Sequence, residues 1–271
     1  MRRFALLFII FTGTAFAKVW IVDTTGAEGD SLQKAINSAW ADPGIDTVLV
    51  KNGTYHLFIN DTVGLIMRDS VVLISENGAE KCTLTAASED GKDTAWHVIY
   101  CSGWDTASHA AIIKGFTIKD GRARGSHPHS DGGGIYINSA SPTIDSCIIT
   151  NNYVDDWGGG IFIYNHSSPT LSGNTIINNS ADFGGGGIDI YWYSSPTLSR
   201  NIIANNSADW IGGGISIDCY SSPTLSGNTI INNSVAKYGG GISIFYYSSP
   251  TLGGNIIANN SANNGGGIFV Y

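Results

Sequence analysis

The sequence predicts an all-β chain wound as a right-handed, three-sided parallel β-helix, with a short helix covering its N-terminal end. Three observations carry that prediction. Pro142, Pro169, Pro196, Pro223 and Pro250 recur 27 residues apart without drift, the mark of a stacked repeat. Apolar residues recur at fixed offsets from each proline. Every repeat also holds one glycine run and one asparagine pair.

The offsets define the strands. Two residues after the prolines come Ile144, Leu171, Leu198, Leu225 and Leu252, and seven after come Ile149, Ile176, Ile203, Ile230 and Ile257. Further on stand Ile161/Ile163, Ile188/Ile190, Ile215/Ile217 and Ile242/Ile244. Their two-residue spacing is that of a strand with one face turned inward. Stacking the rungs turns these positions into continuous apolar columns. Each buried side chain is worth about 1.5–3 kcal/mol before ordering entropy is subtracted.

Other solenoids are excluded. A proline and a glycine triplet in every repeat leave no room for two ordinary α-helices. The L-x-x-L-x-L spacing of leucine-rich repeats is absent, and the glycine runs recur once per rung rather than every nine residues. Ser-Ser-Pro, Ser-Gly-Asn and the glycine run (Gly158 to Gly160 and its equivalents) mark the corners, where a Cβ would clash or a positive φ is needed. Asn152, Asn179, Asn206, Asn233 and Asn260 form one column. They are expected to pass amide hydrogen bonds from rung to rung about 4.8 Å apart, while the asparagine before each serves the turn.

Upstream the repeat is irregular. Asp30 with Gln33 has the form of a capping box, and Leu32, Ala35, Ile36, Ala39 and Trp40 follow at helical spacing before Asp42-Pro43-Gly44. A helix over 30–41 would cover the first rung. Irregular rungs are expected over 46–140, with strands at Val48 to Val50, Val71 to Ile74 and Ile112 to Ile118, and 27-residue rungs over 141–271. Residues 1–17 read as a secretory signal peptide: Arg2 and Arg3, the apolar run Phe4 to Phe11, and the small-residue site Ala15-Phe16-Ala17. Cleavage would leave Lys18 first. At the other end, the fifth rung stops at Tyr271 within a strand, with no cap after it. The expectation there is a fragment with further rungs downstream.

The stretches Gly29-Asp30-Ser31-Leu32-Gln33-Lys34-Ala35-Ile36, Asp46 to Tyr55 and Gly115-Phe116-Thr117-Ile118 resemble the N-terminal half of pectin-lyase-like β-helix proteins. The Gly-Gly-Gly-Ile rungs with asparagine turns are similar to passenger regions of bacterial surface proteins, including the chlamydial polymorphic outer-membrane type. That resemblance covers nearly all of residues 18–271 and implies the fold. It implies little about activity, because such folds host lyases, hydrolases and adhesins. Of the blocks found in polygalacturonase-like members, only Asp155-Asp156 has a counterpart, so no acid, base and substrate clamp can be assigned together. Pectate-lyase-like members use a calcium held by carboxylates together with a basic residue. The nearest counterparts are Asp189 and Asp218 on successive rungs, with Arg200 breaking a Ser/Gly column.

Beyond the resemblance, Asp155, Asp182 and Asp209 share a loop column, where stacked carboxylates either remain solvated or take a calcium ion. His127, His129 and Asp131 offer a second polar loop with H-x-H spacing. The feature weighted most is aromatic. After Ile-x-Ile come Tyr164 with His166; Tyr191, Trp192 and Tyr193; Tyr220; and Phe245, Tyr246 and Tyr247. These are expected to form an outward stripe, either as mutual stacking or as a surface for sugar or protein.

Composition fits this reading. The 271 residues are 42% hydrophobic, with mean hydropathy near zero, and no stretch after the leader is long enough to span a bilayer as a helix. With Arg2 and Arg3 removed, 12 of the 14 basic residues face 22 acidic ones and the formal charge moves from −8 to −10. Nucleic acid and anionic lipid are therefore excluded as partners. Cys82, Cys101, Cys147 and Cys219 have neither a dense disulfide framework nor metal-ligand spacing; in an exported chain they either form two disulfides or, the favoured reading, remain buried free thiols. The expected protein is a secreted or cell-surface module without an organic cofactor, binding a polysaccharide or a surface protein through the stripe. The competing expectation is a calcium-dependent lyase acting on acidic polysaccharide.

Overall fold

The protein is described by a computed structural model over residues 7–8, 17–23, 29–58, 62–103 and 111–271. Most of the expected leader, residues 1–6 and 9–16, lies outside the described residues. The chain is an all-β, right-handed β-helix of about nine parallel turns, built on sheets of ten, eight and eight strands among the described residues. A fourth sheet of five two-residue strands follows the asparagine column. It forms because Ala123, Val154, Ala181, Ala208 and Val235 are small enough to turn inward and be buried there.

Pairing keeps the register of the repeat. Thr143–Asp145 pairs with Thr170–Ser172, Ile144 opposite Leu171, and Ile149 lies opposite Ile176. A slip of one residue would turn every inward Leu and Ile outward. Leu171, Leu198, Leu225, Ile176, Ile203 and Ile230 are all fully buried.

The amide ladder joins these rungs. Asn206 donates through Nδ2 to the Ile176 carbonyl at 2.9 Å and to Asn233 Oδ1 at 3.0 Å, and it accepts from Asn179. The preceding Asn151, Asn178, Asn205 and Asn232 take φ near +55°. A second ladder runs at the Ser-Gly-Asn corner through Asn174, Asn201, Asn228 and Asn255, with Asn174 Nδ2 donating to Asn201 Oδ1 at 3.0 Å. It lies where the sequence read only as punctuation.

Helix α1 (Gly29–Ala41) lies over the N-terminal turn with Leu32, Ala35, Ile36 and Ala39 buried. Trp40, expected on that face, is 50% exposed. It falls off the 32/35/36/39 stripe and donates from Nε1 to Asp69 Oδ1 at 2.8 Å. Gln33, expected to pair with Asp30 whose side chain lies outside the described residues, accepts from Ile66 N and donates to Ile66 O, at 2.7 and 2.9 Å. The amide thereby satisfies the first strand of the third sheet, Val63–Ile66.

Candidate functional site

The repeat varies most at the corner after Ile-x-Ile. The pairs Asn165-His166, Trp192-Tyr193, Cys219-Tyr220 and Tyr246-Tyr247 all take positive φ, between 43° and 62°. Non-glycine residues in this region cost of order 1 kcal/mol or more each. Asn or Gly would hold such a corner at less cost, yet rings occupy six of these eight positions.

Those rings form a ladder. His166, Tyr193, Tyr220 and Tyr247 stack with centroids 5.3, 5.0 and 5.2 Å apart and planes within 13° of parallel. Tyr193 and Tyr220 are 48% exposed and Tyr247 79%. Stacking occupies the faces of the inner rings and leaves their edges to solvent. Beside the ladder, Trp192 and Tyr246 are exposed, while Tyr164, Tyr191 and Phe245 are half-buried. Asp218 and Cys219 interrupt both neighbouring columns. The stripe is thus three columns, of which only the outer one stacks without a break.

A cleft opens where the half-buried column meets the loops. His127, Asp131, Asp156, Trp157, Phe162, Tyr164 and Tyr191 line this space of about 270 Å³. Tyr164 and Tyr191 stack at 6.0 Å, Trp157 and Tyr191 at 6.2 Å, and Trp192 meets Tyr164 edge-on at 6.0 Å, connecting the cleft to the ladder. At its polar end His127 Nδ1–H donates to Asp131 Oδ2 at 2.6 Å, and the Trp157 N–H donates to Asp131 Oδ1 at 3.1 Å. Burial pushes the Asp131 carboxyl up to about 6, against the lowering pull of His127. His129 is drawn elsewhere, with its ring 4.3 Å from Trp96, so the two histidines do not converge on one ion.

Sequence reasoning missed what lies beneath the glycine run. In a half-buried strand the middle residue of Ile-x-Ile should face solvent, yet Asp189, Ser216 and Ser243 are fully buried. The glycine run explains this. Gly185 (φ +62°) folds back over the strand so closely that a Cβ would stand 2.6 Å from Asp189 Cβ. Asp189, Ser216 and Ser243 lie in register; no hydrogen bond of good geometry reaches either carboxylate oxygen of Asp189 or either hydroxyl, and the nearby Ser216 hydroxyl only partly offsets the burial of the carboxyl. Burial above all, and then the neighbouring Asp218, hold the Asp189 carboxyl well above the ordinary carboxylate range. Asp218 is raised too, by burial, while its Oδ1 accepts the Cys219 N–H at 2.6 Å.

Asp189 and Asp218 therefore lie together, but Arg200 does not join them. It sits, exposed, at the turn between Thr197–Ser199 and Ile202–Ala204, on strands of the first two sheets, whereas Asp189 belongs to the third. Asp155, Asp182 and Asp209 line the loop column, where the Tyr153 hydroxyl donates to Asp182 Oδ2 at 2.7 Å. Among the described residues no three metal-ligating side chains converge on one point. All four cysteines are unpaired, and no described helix is long and apolar enough to cross a membrane. Phe183 and Trp210, at 37% and 44% exposure, form a second stack at 5.4 Å that the stripe did not include.

Residues 48–271 match the family described as the right-handed β-helix region. The chain belongs to that family. No curated protein is similar enough to count as a match.

Proposed function

We propose that this β-helix is a non-catalytic binding module, exported to the cell surface or beyond, that holds a neutral polysaccharide in the aromatic cleft and along the adjoining ladder. The carrying observation is the cleft itself. Trp157, Tyr164 and Tyr191 wall a space of about 270 Å³, and His127, Asp131 and Asp156 stand at its polar end. Sugar rings are bound by such a mixture of apolar ring surface and a few placed polar groups. The exposed tyrosine edges extend the contact along the solenoid axis.

Charge selects the kind of glycan. The cleft lining contains Asp131 and Asp156 but no lysine or arginine. A uronate would meet carboxylates there without a cation. The alternative, a calcium-dependent lyase, needs a basic residue at the substrate, and Arg200, its nearest counterpart, stands on other sheets.

The test is retention on a panel of neutral and acidic polysaccharides. Neutral chains are expected to retain the protein intact, and Trp157→Ala or Tyr164→Ala should each weaken retention by about 10-fold, the effect of removing a central aromatic anchor. New reducing ends or unsaturated uronates whose formation EDTA abolishes would replace this reading with the lyase.

A further inference from the structure

We propose that leader removal creates a structural ion pair: cleavage after Ala17 makes Lys18 the first residue, and its new α-ammonium binds the buried carboxylate of Asp46. This inference rests on export but not on what the cleft binds.

Lys18–Val22 runs parallel to Asp46–Val50 in the first sheet, with Val19 opposite Thr47. That register sets the Lys18 backbone nitrogen 2.8 Å from Asp46 Oδ1, while Trp20 Nε1 donates to Oδ2 at 3.3 Å. Asp46 is fully buried. The Lys18 side-chain ammonium is engaged elsewhere, on Asp42. Among the described residues, the hydrogen bonds to the Asp46 carboxylate in the uncut chain come from an amide and an indole, both neutral.

A buried carboxylate supported only by neutral donors is costly, and a charged donor at the same position forms a shorter bond about twice as strong. Cleavage puts that donor at the position the Lys18 amide already holds, 2.8 Å from Asp46 Oδ1. A leader peptidase adds water across the Ala17–Lys18 bond. The water oxygen stays on the Ala17 carboxylate, and the Lys18 nitrogen takes up protons to become an ammonium. The leader sequence of residues 1–17 and a buried acid facing the nitrogen of residue 18 are independent features, and they meet at one bond. Processing also removes Leu7–Phe8, which pairs antiparallel with Lys18 and Val19. The ion pair fastens the first turn as that pairing is lost.

The test uses the full chain expressed with its leader in an exporting host and recovered from the exported fraction. Mass spectrometry should find Lys18 as the first residue. A variant with Gly-Ser inserted between Ala17 and Lys18, cleaved at the same place, displaces the α-amine from Asp46 and should melt several degrees lower. Asp46→Asn should bring the two chains to the same melting temperature. Independently, the wild-type α-amine should acylate several-fold more slowly near neutral pH than that of the insertion variant, a comparison that holds even where Asp46→Asn fails to fold. An exported chain retaining residues 1–17, or equal melting and equal acylation in wild type and insertion variant, would overturn the proposal.

Discussion

Within one rung, the inner columns and the outer corner follow opposite rules. Inside, Leu171, Leu198 and Leu225, or Asn179, Asn206 and Asn233, repeat without change because each side chain touches its own copies 27 residues away. At the corner the backbone repeats just as strictly, with two positive-φ residues on each of four rungs. Its chemistry repeats only in part: the second position keeps a stacked ring in His166, Tyr193, Tyr220 and Tyr247, whereas the first runs through Asn165, Trp192, Cys219 and Tyr246. What stacking dictates is constant. What varies is free to serve recognition, and here it varies toward exposed rings at positions where rings are conformationally costly.

Breaking an inner column should have the largest effect. Ile203→Asn places an unpaired amide in the core of a middle rung and is expected to cost about 4 kcal/mol through lost burial and desolvation together. An unchanged denaturation midpoint would show that this column does not bear the fold. The ladder offers a sharper contrast between neighbours. Asn206→Leu removes several buried hydrogen bonds and should cost about 3 kcal/mol. Asn205→Ala disturbs only a left-handed turn position and should cost about 1 kcal/mol. Equal losses at 205 and 206 would erase the distinction between ladder and turn.

The inner columns and the 152/179/206 ladder were legible because strict stacking writes structure as exact recurrence. The second ladder recurs just as strictly through Asn174, Asn201 and Asn228. It escaped because Ser-Gly-Asn also reads as a turn, and sequence does not reveal which way an asparagine points. The burial of Asp189 was hidden for another reason. It depends on the path of the glycine run, and Gly185 reports that a Cβ is forbidden without saying what lies beneath. The cleft was half legible. His127 and Asp131 were grouped from spacing, but Trp157 closes on Asp131 only because the solenoid brings residues 26 positions apart into contact.

Asp189 belongs to neither rule, since it breaks the pattern inside a buried column. Asp189→Ser copies the rungs that follow and should stabilise the protein by about 1–2 kcal/mol at pH 7, by removing a buried carboxyl without a hydrogen bond of good geometry. The pH dependence has a defined sign. Burial raises the folded-state pKa of Asp189, so the folded chain holds a proton that the unfolded chain releases above about pH 4. Its contribution is complete below that pH and is lost as pH rises toward the folded-state value. Asp218 acts in the same direction, and so does Asp131, at about 6. His97, buried and lowered to about 4, acts oppositely, losing stability as pH falls from about 6.5 toward 4. Urea denaturation at several values between pH 4 and 7 should show a flatter profile for Asp189→Ser than for wild type. Parallel profiles would mean that this carboxyl is not a proton store.

The smallest effect on folding is expected at the corner. Tyr220→Gly removes two ring stacks, together about 2 kcal/mol, but relieves a positive φ that costs about 1–3 kcal/mol, so the two changes should nearly cancel. A loss as large as that of Asn206→Leu would make the ladder structural rather than a surface for recognition.

The most direct measurement is therefore the binding of one neutral polysaccharide, followed by calorimetry and by assay of its chain length, with wild type and with Tyr193→Ala, Tyr220→Ala and Tyr247→Ala combined. The account predicts that wild type binds and leaves the polysaccharide uncut, and that the triple variant, still folded, binds at least about 10-fold more weakly. Equal affinity in both proteins, or shortening of the polysaccharide by wild type, would contradict it.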